Sequence, residues 1–109
     1  MTREFIMTPV FDKLWDNMGL ADEDLRKLQS VLMETPEMGD IIKGTGGARK
    51  IRIALSGTGK SGGARAIYID IVHLKQMYLI LCYSKSEQDD LTTEQKKQAK
   101  AFIKKLKGE

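Results

Sequence analysis

Lys50 and Arg52 lie two positions apart in a segment, Arg49–Leu55, whose side chains alternate. Ile51, Ile53 and Leu55 take one set of positions, and Lys50, Arg52 and Ala54 take the other. On an extended strand this puts both cations on one face, about 6–7 Å apart along the chain. Arg65 opens the next apolar segment, and Tyr83 and Lys85 close the one after it. If the segments before and after the glycine-rich stretch Ser56–Gly63 pair as a hairpin, cationic groups from three neighbouring strands converge on one concave surface. Such a surface suits phosphate: guanidinium forks grip its oxygens in pairs, and ammonium groups add point charge.

A set of this kind can cut RNA without a metal. The substrate's own 2′-OH attacks the adjacent phosphorus, so no protein nucleophile is needed. The protein must hold the strand in line, stabilise charge on the phosphorane and help move protons. Arginine and lysine suit the second task. A tyrosine or lysine whose pKa is perturbed by neighbouring cations suits the third. Plainer readings stay open at this point: Lys50 and Arg52 also fit a solvated strand face, and Arg65 also fits an anchor for the glycine-rich stretch.

Other reactive side chains point elsewhere. The single cysteine, Cys82, sits in an apolar run, which excludes a disulfide framework or a cysteine-based metal site. The single histidine, His73, falls in a turn and reads as a surface residue. Asp70 reads as a packing or edge residue. Glu87, Asp89 and Asp90 could ligate Mg²⁺, but they precede a helix start, where acids suit the positive end of the dipole; the latter reading is preferred. No metal and no cofactor are expected.

Two nucleotide motifs are rejected. Ala54–Ser61 fits a loosened P-loop pattern, and Gly57–Gly62 fits G-x-G-x-x-G. Both need a helix directly after the loop to hold phosphates. Here Gly62-Gly63 and a strand-like segment follow. The stretch reads instead as a basic hairpin tip, whose glycines allow close approach to a phosphate and whose Lys60 can reach it.

These residues need elements to position them. Arg3–Met7 is expected as a short strand. Thr8-Pro9 has the form of an N-cap and first helical position, and Val10, Phe11, Leu14 and Trp15 repeat at helical spacing. A second helix is expected from about Asp22, with Leu25, Leu28, Val31 and Leu32 as its stripe, stopping at Thr35-Pro36. Arg49–Leu55, Ala64–Val72 and Met77–Ser84 read as strands, the last two apolar on both faces. Thr92 and Gln95 form a capping box for a helix to about Lys107. The order β-α-α-β-β-β-α implies an α+β fold: an antiparallel sheet with helices on one side.

The bulk numbers agree. The 109 residues fit one domain, 1–109, and 41% hydrophobic with 30% charged residues suit a soluble globular protein. No apolar run approaches the ~20 residues of a membrane span. The first segment lacks the apolar core of a signal peptide, so a cytoplasmic location is expected. Net charge is +3 but uneven: residues 1–42 hold nine acids and four bases, whereas 43–69 hold six bases and no acid. That basic stretch (Lys43, Arg49, Lys50, Arg52, Lys60, Arg65) favours a polyanion partner. Six lysines follow position 92; they read as solvated charge, with RNA contact open.

The residues also carry a family resemblance. Gly39-Asp40 with Ile41-Ile42, Gly44–Gly47, Arg49–Arg52, Gly59-Lys60, Gly62–Tyr68, Tyr83–Glu87 and Asp90–Thr92 together resemble the RelE superfamily of type II toxin–antitoxin toxins, in particular its HigB-like branch. The resemblance implies an mRNA endoribonuclease acting in the ribosomal A site and leaving a 2′,3′-cyclic phosphate and a 5′-OH. It implies a cognate helix-turn-helix antitoxin (HigA-like), with operator DNA reached only through that partner, and no membrane. It carries the catalytic cations onto Lys50, Arg52 and Arg65 and a loop lysine onto Lys60. An arginine and a tyrosine near the C-terminal end of RelE have no matching pair in Ser84–Leu91, so Tyr83 and Lys85 are taken in their place. Arg49, Lys60 and Lys43 are expected to bind RNA. The alternatives are a ParE-like gyrase inhibitor, which shares the fold but does not need the three cations, and a non-catalytic RNA-binding module. The sparse aromatics offer that module no stacking platform.

Overall fold

The structure is a computed structural model and describes residues 2–53 and 63–109. Its elements are β1 (Glu4–Met7), α1 (Pro9–Asn17), α2 (Asp22–Glu34), β2 (Asp40–Ile41), β3 (Arg49–Ile53), β4 (Ala64–Ile71), β5 (Gln76–Ser84) and α3 (Thr93–Leu106). The helix starts follow local chemistry. The Thr8 hydroxyl accepts from the Phe11 N–H at 3.0 Å, and Pro9 opens α1. At α3 the Thr92 hydroxyl accepts from Gln95 N–H while the Gln95 side chain accepts from Thr92 N–H, the reciprocal pair expected from the sequence. Three acids fill the first turn of α2, and Asp24 accepts from the Ala21 N–H.

The five strands form one sheet in the order β1-β5-β4-β3-β2. β2–β3, β3–β4 and β4–β5 are antiparallel, as expected, but β1 runs parallel to β5, so the sheet is mixed. The reason is the path of the chain: β1 leads into α1, whose first residues are tied to the middle of β5 by Thr8 N–H to Leu79 O and Thr8 hydroxyl to Ile80 O.

Helix placement also differs from the one-sided expectation. α1 and α2 do share a face, where Phe11, Trp15, Leu28 and Leu32 pack on Ile51, Ile53, Ala66, Tyr68 and Met77. α3 covers the opposite face, with Ile103 and the partly buried Phe102 and Leu106 packed among Ile67, Ile69, Ile71, Ile80 and Tyr83. β4 alternates between the two clusters, and both of its apolar faces are thereby buried.

One buried ion pair closes the β1 edge. Arg3 Nε and Nη2 donate to the two oxygens of Asp70 at 2.7 and 3.1 Å, a bidentate fork. Asp70 is thus a packing residue, as its strand position suggested. Among the described residues no helix is long and apolar enough to cross a membrane.

Candidate active site

Strand register decides which cations meet. In β3, Ile51 and Ile53 enter the core under α1 and α2, so Lys50 and Arg52 project toward the α3 face. In β4, Ala64 and Ala66 take the first face and Arg65 the second. Arg52 stands opposite Arg65, and Arg65 stands opposite Tyr83 of β5, giving an unbroken row across three strands. Lys50 lies two residues from Arg52 on the same strand, opposite Ile67. The row sits near the end of β3, the start of β4 and the end of β5, so all three side chains gather at one end of the sheet.

Exposure grades along the row. Arg52 is exposed, Arg65 is half-buried and Tyr83 is buried, at 5%. An Arg65 Nη donates to the Ala64 carbonyl at 3.3 Å. The Tyr83 hydroxyl is buried and makes no hydrogen bond among the described residues. Burial pushes the Tyr83 phenol up, Asp90 and Asp89 push the same way, and Arg65 opposes them. Tyr83 is therefore a neutral, protonated group at physiological pH, with an unused donor beside a guanidinium.

Lys50 Nζ lies 3.4 Å from an oxygen of Asp90. Asp90 sits just before α3, and the same oxygen accepts the Leu91 N–H at 2.8 Å. Its carboxyl lies below the usual carboxylate range, chiefly because of that N–H, with Lys50 reinforcing it. The helix-dipole reading of this acid missed its role as partner of a candidate catalytic lysine. The signal available was only that a turn led from Tyr83 back to the sheet face holding Lys50.

The remaining candidates are dispersed. Lys85 is exposed, and its backbone N–H donates to Gly63 O at 3.1 Å, one step past the row. Arg49 faces the other side of the sheet, opposite Tyr68, and donates to Gly39 O at 2.7 Å. It buttresses the 37–39 turn rather than joining the row. Lys43 is exposed in the turn before β3, at the far end of that strand from Arg52. Lys60 and the expected hairpin tip fall outside the described residues. His73 is exposed in a short turn between β4 and β5. No three His, Cys, Asp or Glu side chains group as metal ligands among the described residues.

The seat of Lys50 is held from below. Gly39 approaches so closely that a Cβ there would lie 2.8 Å from Lys50 O and 2.9 Å from the Tyr68 ring. The Gly39 N–H donates to the Tyr68 hydroxyl, which donates in turn to Pro36 O at 2.7 Å. Glycine is required here for space, not for a left-handed backbone.

Comparison with known proteins agrees with this fold. The family model of the RelE toxin of the RelE/RelB toxin–antitoxin system matches residues 5–108. In three dimensions the chain is similar to the E. coli toxin RelE, solved in the free state with two arginines replaced by alanine. The TM-score is 0.59 at 19% identity, over 82% of this chain and 90% of that one. At that identity the likeness speaks for the fold.

Proposed function

The chain belongs to the RelE toxin family of toxin–antitoxin systems, and from that premise we propose that it is a metal-independent endoribonuclease that cleaves mRNA in the ribosomal A site. The observation that carries the reading is the cross-strand row Arg52–Arg65–Tyr83, with Lys50 beside it. Two guanidinium groups side by side bind a bridging phosphate and stabilise the charge that builds on its oxygens as the 2′-OH attacks. Lys50 adds a third positive charge. Tyr83 holds its proton and donates a hydrogen bond to substrate oxygen once RNA binding uncovers its hydroxyl, which is buried in the free protein. The 2′-oxygen bonds to phosphorus as its proton passes to solvent water, and the bond from phosphorus to the 5′-oxygen breaks as that oxygen takes a proton from solvent water and leaves as a hydroxyl. The products are a 2′,3′-cyclic phosphate and a 5′-OH end.

In this reading the partners are a helix-turn-helix antitoxin of the HigA kind, the 70S ribosome and its mRNA, and the toxin works in the cytoplasm. In the same reading Lys43 and Lys60 contact RNA, and Lys85, exposed one step past the row, assists catalysis. Arg49 has the weakest case among the RNA-binding candidates, because its guanidinium is already engaged with Gly39 O.

The test is a translation assay with programmed ribosomes and a defined mRNA whose ends are mapped. Wild type cuts within the A-site codon only when ribosomes are present, and Arg65→Ala does not cut. Intact mRNA at wild-type concentrations that arrest growth would overturn the reading and bring gyrase forward as the target.

A further inference from the structure

Asp90 meets one of the candidate cations, Lys50. One of its oxygens takes two donors: the Leu91 N–H at 2.8 Å and the Lys50 ammonium at 3.4 Å. The two donors are unequal in freedom. Leu91 is buried at 6% in the core beneath α3. The Gln88 side chain donates to Asp90 O at 2.8 Å and to the Gln95 side chain at 2.9 Å, and Gln95 holds the Thr92 N–H. The carboxylate therefore rides on a fixed mount at the start of α3, while the lysine reaches it on a flexible four-carbon stem.

Fold stability does not explain the pair. Its side chains are 30% and 51% exposed, and ion pairs of that kind contribute only about 0–1 kcal/mol. A carboxylate next to a phosphate-binding row also repels the substrate. The arrangement makes sense if a fixed ammonium is worth more to the chemical step than the lost attraction costs in binding. The charge of Asp90 also reaches Tyr83, whose phenol it raises, so the carboxylate lies among the proposed groups and not at their margin.

We propose that Asp90 is a positioning residue for RNA cleavage, holding the Lys50 ammonium beside the Arg52–Arg65–Tyr83 row from the turn just before α3. The proposal rests on the endoribonuclease reading above. Asp90→Asn is the clean variant, because the amide oxygen still accepts the Leu91 N–H while the charge is gone. The expected result is a kcat about tenfold lower, with KM unchanged or lower and the melting temperature unchanged. In a Lys50→Ala background the same substitution costs nothing further, since no ammonium is left to place. A kcat in Asp90→Asn equal to or above wild type overturns the proposal, and so does a full additional loss in the double variant. Inert wild-type protein instead sinks the endoribonuclease reading. The pair is also read without activity: in lysine-labelled protein the Lys50 ζ resonance moves in Asp90→Asn and stays in Asp89→Asn. A Lys50 resonance indifferent to Asp90 overturns the proposal by itself.

Discussion

Arg52 and Arg65 stand directly opposite each other on the antiparallel strands β3 and β4. Like charges in that position destabilise a sheet by roughly 0.2–1 kcal/mol relative to neutral pairs. On the endoribonuclease reading the two guanidinium groups face each other to bind an anion between them. Arg52→Thr removes the repulsion and supplies a β-branched residue suited to a strand. We expect its urea-unfolding stability to equal or exceed wild type by up to about 1 kcal/mol, while mRNA cleavage falls at least about a hundredfold. Parallel losses of stability and activity would mean that Arg52 serves the fold.

Tyr83 carries a buried hydroxyl with no hydrogen-bond partner among the described residues. Leaving such a group unsatisfied costs about 1–3 kcal/mol. Tyr83→Phe should therefore melt at the same temperature as wild type or higher, in calorimetry. Cleavage should drop by about a hundredfold, at the lower end of what general acid–base assistance contributes. Because burial raises the phenol, the wild-type rate should hold on the alkaline side beyond the ordinary tyrosine range. An activity that declines near pH 10, as for a free phenol, would contradict the burial argument.

Arg3 and Asp70 form the buried fork that ties the start of β1 to β4, across the intervening β5. Asp70 keeps its guanidinium firmly protonated. Removing one member strands the other, at a cost of about 3–5 kcal/mol. Arg3→Ala should lose that much in urea unfolding. Arg3→Met with Asp70→Leu should recover most of it, since well-packed apolar pairs can replace buried ion pairs.

The Cys82 thiol is fully buried, and burial pushes it up to about 12 from an ordinary 9.0. Native protein should resist thiol-specific reagents at pH 8 and react only after unfolding. The sign of the pH effect follows from linkage. The unfolded thiol ionises first, so this contribution is complete below about pH 9 and is lost as pH rises toward 12. Between those limits Cys82→Ala should lose less stability than wild type. An equal slope in both proteins would contradict the burial argument.

Much of this site was legible in the residues alone. The caps at Thr8 and Thr92 and the alternation in Arg49–Ile53 are local signals, and local chemistry obeyed them. The row Arg52–Arg65–Tyr83 needed one further quantity, the register, which no single strand encodes. Arg49 shows the same gap from the other side: its own alternation with Lys50 sends it to the opposite face, where it holds a turn. β2 was missed because two exposed residues carry no period. The position of α3 was half-legible. Apolar residues on both faces of β4 and β5 announce two covers, but only the chain path says which helix provides the second. Asp90 was hidden because its partner lies forty residues away.

The parallel pairing of β1 with β5 has a consequence for biosynthesis. Glu4 lies in a ladder opposite Gln76, so the first strand made has no neighbour in the sheet until the last strand exists. At about 5–20 residues per second, the wait between the two is several seconds. Over that interval the emerging chain has neither its first edge nor Tyr83, which belongs to the late strand. On the endoribonuclease reading proposed above, the topology delays assembly of the row until synthesis of the chain has almost finished.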